Sequence, residues 1–414
     1  MTENREQIEL FKVFCSDEAV AEVSKTLQSG MLTQGPQNTQ FEQMLKHHFG
    51  VENIATVNSA TSGLQLALRA LRAPFPESGW PGLEPGDEIL TPALTCTATN
   101  WPVMHEGLKI KWVDSDPETA CACVTDIAKK LTKTTKIVQV VHWGGTPVDV
   151  QTLRQVLVSA KEELGFTPVV IEDCAHAFGG FYQDCFTRIG TSGNVCVFSF
   201  QAIKLLTTGD GGCVITEDQT DHGKFLIERC RRLRWFGIDR ERRRHDVASA
   251  AAAGADFRME DDIPEAGFKF HMNDVNSAMG IGNLPHISAL LCANRSNAAF
   301  LQSRILPLSH VRVVGSRYDV SSCWLFSLRV SDKAAFLKHC SRLKITTSQV
   351  HRRNDKHSAV AASSNHTADL PGVDLLEREL ICVPVGWWLA PEELERVACA
   401  VETFDEFMKE KKNI

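Results

Sequence analysis

Seven short apolar runs, most of them separated by stretches with helical spacing, fill the first half of this chain and restrict the folds open to it. The runs cover residues 54–58, 88–91, 109–113, 137–142, 169–173, 195–200 and 213–216, and are rich in Val, Ile and Thr. Between them Leu64, Ala67, Leu68 and Leu71 recur at helical spacing, as do the apolar residues of 153–164. Strands alternating with helices imply a layered α/β fold around a mostly parallel sheet of seven strands. Beyond Gly237 the character changes: 239–265 is charged, Ala-rich and carries Pro264, which reads as an insert. A small-residue helix around Ala278 and Met279 and a helix over 286–305 follow. Strands are expected at 311–314, 324–330, 345–350 and 380–384, and a last helix from Pro391 to about 409. The expected organisation is a large domain over 1–285 and a smaller α+β domain over 286–414.

A net charge of −7 argues against polyanion binding by bulk charge, so no nucleic-acid partner is expected. The arginines at 229, 231, 232, 234, 240 and 242–244 are the strongest local charge cluster and read first as a solvated helix face, then as a diphosphate contact. Fourteen cysteines occur without a CxxC pair, which suits buried free thiols in a reducing compartment. Residues 1–11 lack a basic region and an apolar core, and no apolar run approaches the ~20 residues of a membrane span. A cytoplasmic protein without membrane attachment is expected. No metal site is expected, because His351 and His357 lack companions at ligand spacing.

Three stretches carry chemistry. Lys204 stands in FSFQAIKLLTTGDGG, directly after an apolar strand and among Leu, Ile and Phe. Burial lowers a lysine pKa by up to ~3–5 units and makes a nucleophilic amine, although a snorkelling lysine explains a single such residue as well. Asp173 ends the strand of Val-Val-Ile-Glu-Asp-Cys-Ala-His, at the sheet edge where open α/β sheets bind ligands. It suits either a cationic ring nitrogen or the capping of the next helix. Asn58-Ser59-Ala60-Thr61-Ser62-Gly63 is a strand-to-helix turn of hydroxyl residues, fit to cap a helix or to cup a phosphate. A buried amine, a carboxylate for a ring nitrogen and a phosphate cup are together the three handles of pyridoxal 5'-phosphate.

On these residues the chain resembles the DegT/StrS family of sugar-nucleotide aminotransferases. The similarity runs from Ser29-Gly30-Met31-Leu32-Thr33-Gln34-Gly35-Pro36 to 371–388, and FSF-x3-K-x4-GDGG is its most specific string. The resemblance implies a fold-type-I transferase with Lys204 bonded to the cofactor aldehyde and acting as general acid and base. It implies Asp173 at the pyridine nitrogen, His176 beside the ring, and Ser199, Thr61 and Ser62 at the phosphate. Members work as homodimers with shared sites, so Lys269 in Gly267-Phe268-Lys269-Phe270-His271 would reach the neighbour's phosphate, where the family commonly has Asn. Cys96 takes the position where the family often has an aromatic residue stacked on the cofactor ring.

The implied reaction moves an amino group from an amino acid, glutamate in most of the family, to a nucleotide-linked keto sugar. Gly35 and the His351-Arg352-Arg353-Asn354 stretch are candidate substrate contacts, the latter equally readable as a polar surface loop. Two alternatives remain. One is a dehydratase of the same fold, whose members carry histidine where Lys204 stands. The other is a non-catalytic ligand-sensing regulator.

Overall fold

A computed structural model describes residues 6–218, 220–240, 262–315, 317–361 and 369–412. Most of the expected insert, 241–261, and the arginines at 242–244 lie outside the described residues.

The seven expected strands form one sheet. They are β1 (Asn53–Val57), β2 (Glu88–Pro92), β3 (Lys109–Val113), β4 (Thr135–Val141), β5 (Val169–Asp173), β6 (Val195–Ser199) and β7 (Gly212–Thr216). Their order is β1-β7-β6-β5-β4-β2-β3. All pairs are parallel except those of β7, which runs against both β1 and β6. Helices cover both faces, which is why the inner strands read as continuous apolar runs: β5 to β7 are buried almost throughout.

This topology brings particular loops to one edge. The C-terminal ends of β1, β2, β4, β5 and β6 share an edge with the first residue of β7, because β7 is reversed. There Gly212 pairs with Val57 on one side and Ser199 on the other. A Cβ on Gly212 would stand 2.5 Å from Phe198 O and 2.9 Å from Ala60 N, so only glycine lets the helix start at Ala60 come this close to β6. The helix Ala60–Ala70 is capped by Ser59, whose Oγ accepts from Ser62 N at 3.1 Å.

A second, antiparallel sheet follows from β8 (Val311–Val314), β9 (Phe326–Val330) and β10 (Leu380–Val383), in the order β10-β9-β8. Helices Ile287–Ile305 and Pro391–Lys412 pack on it around Ile305, Phe326, Leu328, Phe336, Val397 and Phe404. The helix Ile287–Ile305 serves both cores, with Ile287 and Leu290 in the large one and Leu301 and Ile305 in the small one. Ile8 packs in the small core and exchanges backbone bonds with Lys344 and Thr346, so the N-terminal segment is anchored to the small domain's core. The strand expected at 345–350 does not form. Only isolated bridges occur, Ile8 with Ile345 and Ser348 with Cys382, because positive φ at Lys344 (56°) and Val350 (69°) bends the backbone out of extended geometry. The strand expected from 324 begins at Phe326, since Cys323 (φ 50°) turns the chain just before it.

Candidate active site

Asp173, at the end of β5, is 4% exposed. Its Oδ2 accepts from Thr99 Oγ1 at 2.8 Å and its Oδ1 from Ala175 N at 3.0 Å. Thr95, just before the helix Thr97–His105, and Thr99 in its first turn link their hydroxyls at 2.8 Å, and Gln139 Nε2 holds the Thr99 carbonyl at 2.7 Å. Burial raises the Asp173 pKa above its ordinary value, against the Thr99 and Ala175 bonds and the nearby Lys204. The carboxylate thus keeps acceptor capacity that its own chain does not use.

Lys204 sits in the turn after β6, its N–H bonded to Gln201 O at 2.8 Å. As a residue it is half-buried, while loss of water around the ammonium lowers its pKa to about 8; Asp173 and then Cys96 act the other way. Its Nζ lies 3.6 Å from the centroid of the Trp324 ring. Ser199 ends β6, 8% exposed, with its Oγ accepting from Gln201 N at 3.3 Å. Ser62 Oγ is 2.9 Å from Ser59 Oγ, and Thr61 is half-buried beside it.

His176 stacks on Trp324 with centroids 4.0 Å apart and rings at 25°. Its Nδ1 accepts from Gly144 N at 3.3 Å, which leaves the ring proton on Nε2. Burial, and then the nearby Lys204 charge, holds this imidazole well below the ordinary histidine range, so it is neutral. His351 enters from the small-sheet side and lies parallel to His176 at 5.7 Å. Its Nε2 is buried without a partner, and desolvation lowers its pKa to about 4. The structure therefore brings together Asp173, His176, Lys204, Cys96 and His351. To the candidates taken from sequence it adds Thr99 and Trp324. Thr95 and Thr99 at i and i+4 were the only signal for the hydroxyl pair, and Trp324 has no sequence signal at all.

Other candidates have different surroundings. Arg353 is 2% exposed, and its guanidinium is taken up by Asp355, Asp374 and Glu377. Asn354 N donates to Ala93 O at 2.7 Å and its Nδ2 to Cys96 O at 3.2 Å. Both residues therefore tie down the loop that presents His351, while Asn354 Oδ1 is buried with no partner among the described residues. Arg352 is exposed, with its NH2 on Lys356 O. Gly35 belongs to another place: its N donates to Asp274 Oδ1 at 2.7 Å, and a Cβ there would stand 2.6 Å from Asp274 Oδ2. It lines a cleft with the arginine cluster, where Arg231 and Arg234 pair with Glu42 and Arg229 pairs with Glu265. Lys269 is exposed, its ammonium 3.7 Å from the Trp235 ring, on a segment that borders the 58–62 turn through Asn58 N and Phe270 O at 2.7 Å.

A further cavity, lined by Trp80, Arg154, Asn194 and His222, opens where β5 and β6 begin, at the opposite edge of the sheet. His142, Glu172 and Cys174 also lie within 4.8 Å of one another. The imidazole and carboxylate are already bonded to each other, and burial holds the Cys174 thiol protonated, which is a poor donor set for a metal.

The residues at the edge fit pyridoxal 5'-phosphate by their chemistry: an amine close to neutrality, a buried carboxylate with unspent acceptors, and hydroxyls at a helix N-terminus held close to the strand by Gly212. Fold and site together define a fold-type-I pyridoxal-phosphate enzyme. Residues 15–402 match the model of the DegT/DnrJ/EryC1/StrS aminotransferase family, and the chain belongs to it. Pyridoxal phosphate is the cofactor of that family. The fold is similar to that of AtS13 from Actinomadura melliaura, with TM-score 0.85 and 37% identity over 97% of this chain and 100% of that one. It is also similar to the sugar aminotransferase CalS13 from Micromonospora echinospora, with TM-score 0.84 and 36% identity over 95% and 99% of the two chains. An uncharacterized protein of Methanocaldococcus jannaschii, MJ1066, is 32% identical over 274 residues, 66% of this chain. The match spans 63% of that relative's length. Among the described residues no helix is long and apolar enough to cross a membrane.

Proposed function

We propose that the protein transfers an amino group from an amino acid, glutamate by family habit, to a keto sugar linked to a nucleotide. The observation that carries this reading is the partly desolvated Lys204 amine, with a pKa of about 8, beside the buried Asp173 carboxylate at the ligand edge of the sheet. In this reading Lys204 bonds the cofactor aldehyde, Asp173 holds the ring nitrogen protonated, and Ser199, Thr61 and Ser62 hold the phosphate. The bound cofactor supplies an electron sink that makes the amino-acid α-proton acidic. Lys204 Nζ, once free, would take that proton from the amino-acid α-carbon and pass it to the cofactor side, and in the second half-reaction would carry a proton the opposite way to the acceptor carbon. The neutral His176 supplies an Nε2–H donor inside the site. Likeness to a sugar aminotransferase supports the sugar acceptor. In this reading His351, whose Nε2 has no partner among the described residues, meets a substrate hydroxyl or carboxylate.

The working unit in this reading is a homodimer that shares its sites. Exposed Val20, Leu27, Met31 and Phe236 offer apolar surface for a second copy, and the exposed Lys269 would reach that copy's phosphate group. The domain division at 285/286 is likewise proposed, with the helix from Ile287 as the shared member. The purified protein should be yellow, change colour on adding glutamate, and carry cofactor on the Lys204 peptide after borohydride. Lys204→Ala should lose at least ~10³-fold in turnover. Unchanged turnover of that variant would defeat the assignment, and mass spectrometry over a panel of keto-sugar nucleotides would identify the acceptor.

A further inference from the structure

Trp324 belongs to none of the motifs above, yet several contacts converge on it. It is 6% exposed and stands between the turn at Cys323 and the start of β9. Its Nε1 donates to Ile203 O at 2.8 Å, the carbonyl of the peptide that leads into Lys204. Its ring lies 3.6 Å from Lys204 Nζ and stacks with His176 at 4.0 Å and Phe11 at 5.0 Å. The chain around it is tied to the large sheet's loops: Ser322 Oγ donates to His176 O at 2.5 Å, and Leu325 N to Gly144 O at 3.1 Å. Among the described residues no hydrogen bond or ion pair engages the Lys204 ammonium, which lies over the indole face, with Asp173 and Cys96 acting on it by charge alone.

We propose that Trp324 is a positioning residue for Lys204. Its N–H fixes the turn that carries the lysine, and its π face holds the ammonium formed once the free amine has taken up a proton, in a site that strips its water. The proposal rests on Lys204 being the lysine that bonds the cofactor. An amine that leaves the cofactor and must then handle a proton needs a defined place and a defined charge. Burial opposes the charged form. Asp173 and Cys96 favour it, while His176 and His351, both neutral, contribute no charge of their own. A desolvated ammonium over an indole gains attraction to the ring quadrupole without any acceptor that would trap its proton. Trp324 also supplies ring surface in a site where Cys96 offers none, and it does so from the small-sheet side. Lys204 is thereby coupled to β9.

The test uses the full chain freed of cofactor. Lys204 is methylated with formaldehyde and cyanoborohydride over a range of pH, and its peptide is followed by mass spectrometry with exposed Lys25 as control. Trp324→Leu keeps an apolar neighbour but removes the π face. The midpoint of Lys204 labelling should fall, raising the free-base fraction at pH 7 by about two- to fivefold. Trp324→Phe keeps a ring face and should leave the midpoint in place, but hydrogen exchange across 200–206 should quicken because Ile203 O has lost its donor. An unmoved midpoint in Trp324→Leu overturns the proposal, as does labelling that speeds up equally at every pH, which would mean only a wider opening. Should the Leu variant not fold, unchanged exchange across 200–206 in the Phe variant overturns it. Borohydride trapping on Lys204 in the parent protein judges the proposed function separately.

Discussion

Glu172 and Asp173 are neighbours on β5, equally buried, and point to opposite faces of the sheet. Glu172 is saturated. Its Oε2 accepts from His142 Nε2 at 2.8 Å and Tyr182 OH at 2.6 Å, and its Oε1 from Ser192 Oγ at 2.6 Å and Asn194 Nδ2 at 2.7 Å. These partners outweigh burial and hold its carboxyl below the ordinary 4.5. Asp173 has two donors, and burial wins: its pKa rises. One carboxylate is spent on the fold, whereas the other is kept underbonded at the edge where a cationic ring would complete it. A buried acid short of partners is destabilising by itself, so its presence marks a ligand site more clearly than burial or charge alone.

The largest test of this contrast is Asp173→Asn. A ring nitrogen at ~4 Å from a carboxylate in an effective dielectric near 20 is stabilised by about 4 kcal/mol, so turnover should fall roughly 10³-fold. The cofactor-free variant should unfold in urea no earlier than its parent. A clear loss of stability would erase the distinction between the two acids.

Glu172→Gln should do the reverse. It turns a satisfied carboxylate into an amide facing four donors and should cost about 2–4 kcal/mol in urea unfolding. The pH dependence follows the signs of the shifts. Glu172 is lowered, so its stabilisation is complete above about pH 4.5 and lost as pH falls through the lower folded value. Asp173 is raised, so its penalty is full above its raised folded value and is relieved as pH falls from there to about 3.8. Acid sensitivity should therefore diminish in Glu172→Gln and increase in Asp173→Asn, as read by unfolding midpoints between pH 3 and pH 7.

The smallest effect is expected from Thr99→Val, which removes one donor to Asp173. A lost hydrogen bond to a buried carboxylate of about 1.5 kcal/mol should lower kcat/KM by roughly tenfold and cost roughly the same in urea unfolding. A drop as large as that of Asp173→Asn would mean that Thr99 does more than orient the carboxylate.

Much of this was visible in one dimension. The seven apolar runs are the seven strands, because parallel strands buried on both faces cannot hide their composition. Lys204 and Asp173 stand out since a charged residue at the end of such a run is costly unless it meets something. The run at 345–350 misled for a related reason: β-branched residues suit a strand, but neighbouring backbone angles at Lys344 and Val350 override them. Arg353 looked like an anion ligand, and only three-dimensional contact shows its guanidinium already ringed by Asp355, Asp374 and Glu377.

Local pattern in the chain was enough to specify the strands, the amine and the acid, because each is written within a few residues and obeys short-range rules of burial. Which long-range neighbours meet them was settled by folding alone. Trp324 and His351 lie more than a hundred residues from Lys204 in sequence; the polar stretch around His351 marked it as a candidate contact but not its neighbours, and nothing around Trp324 marks it at all. They reach the amine because the loops flanking the small sheet pack against the open edge of the large one, and contacts of that range arise from packing that no short stretch of chain encodes.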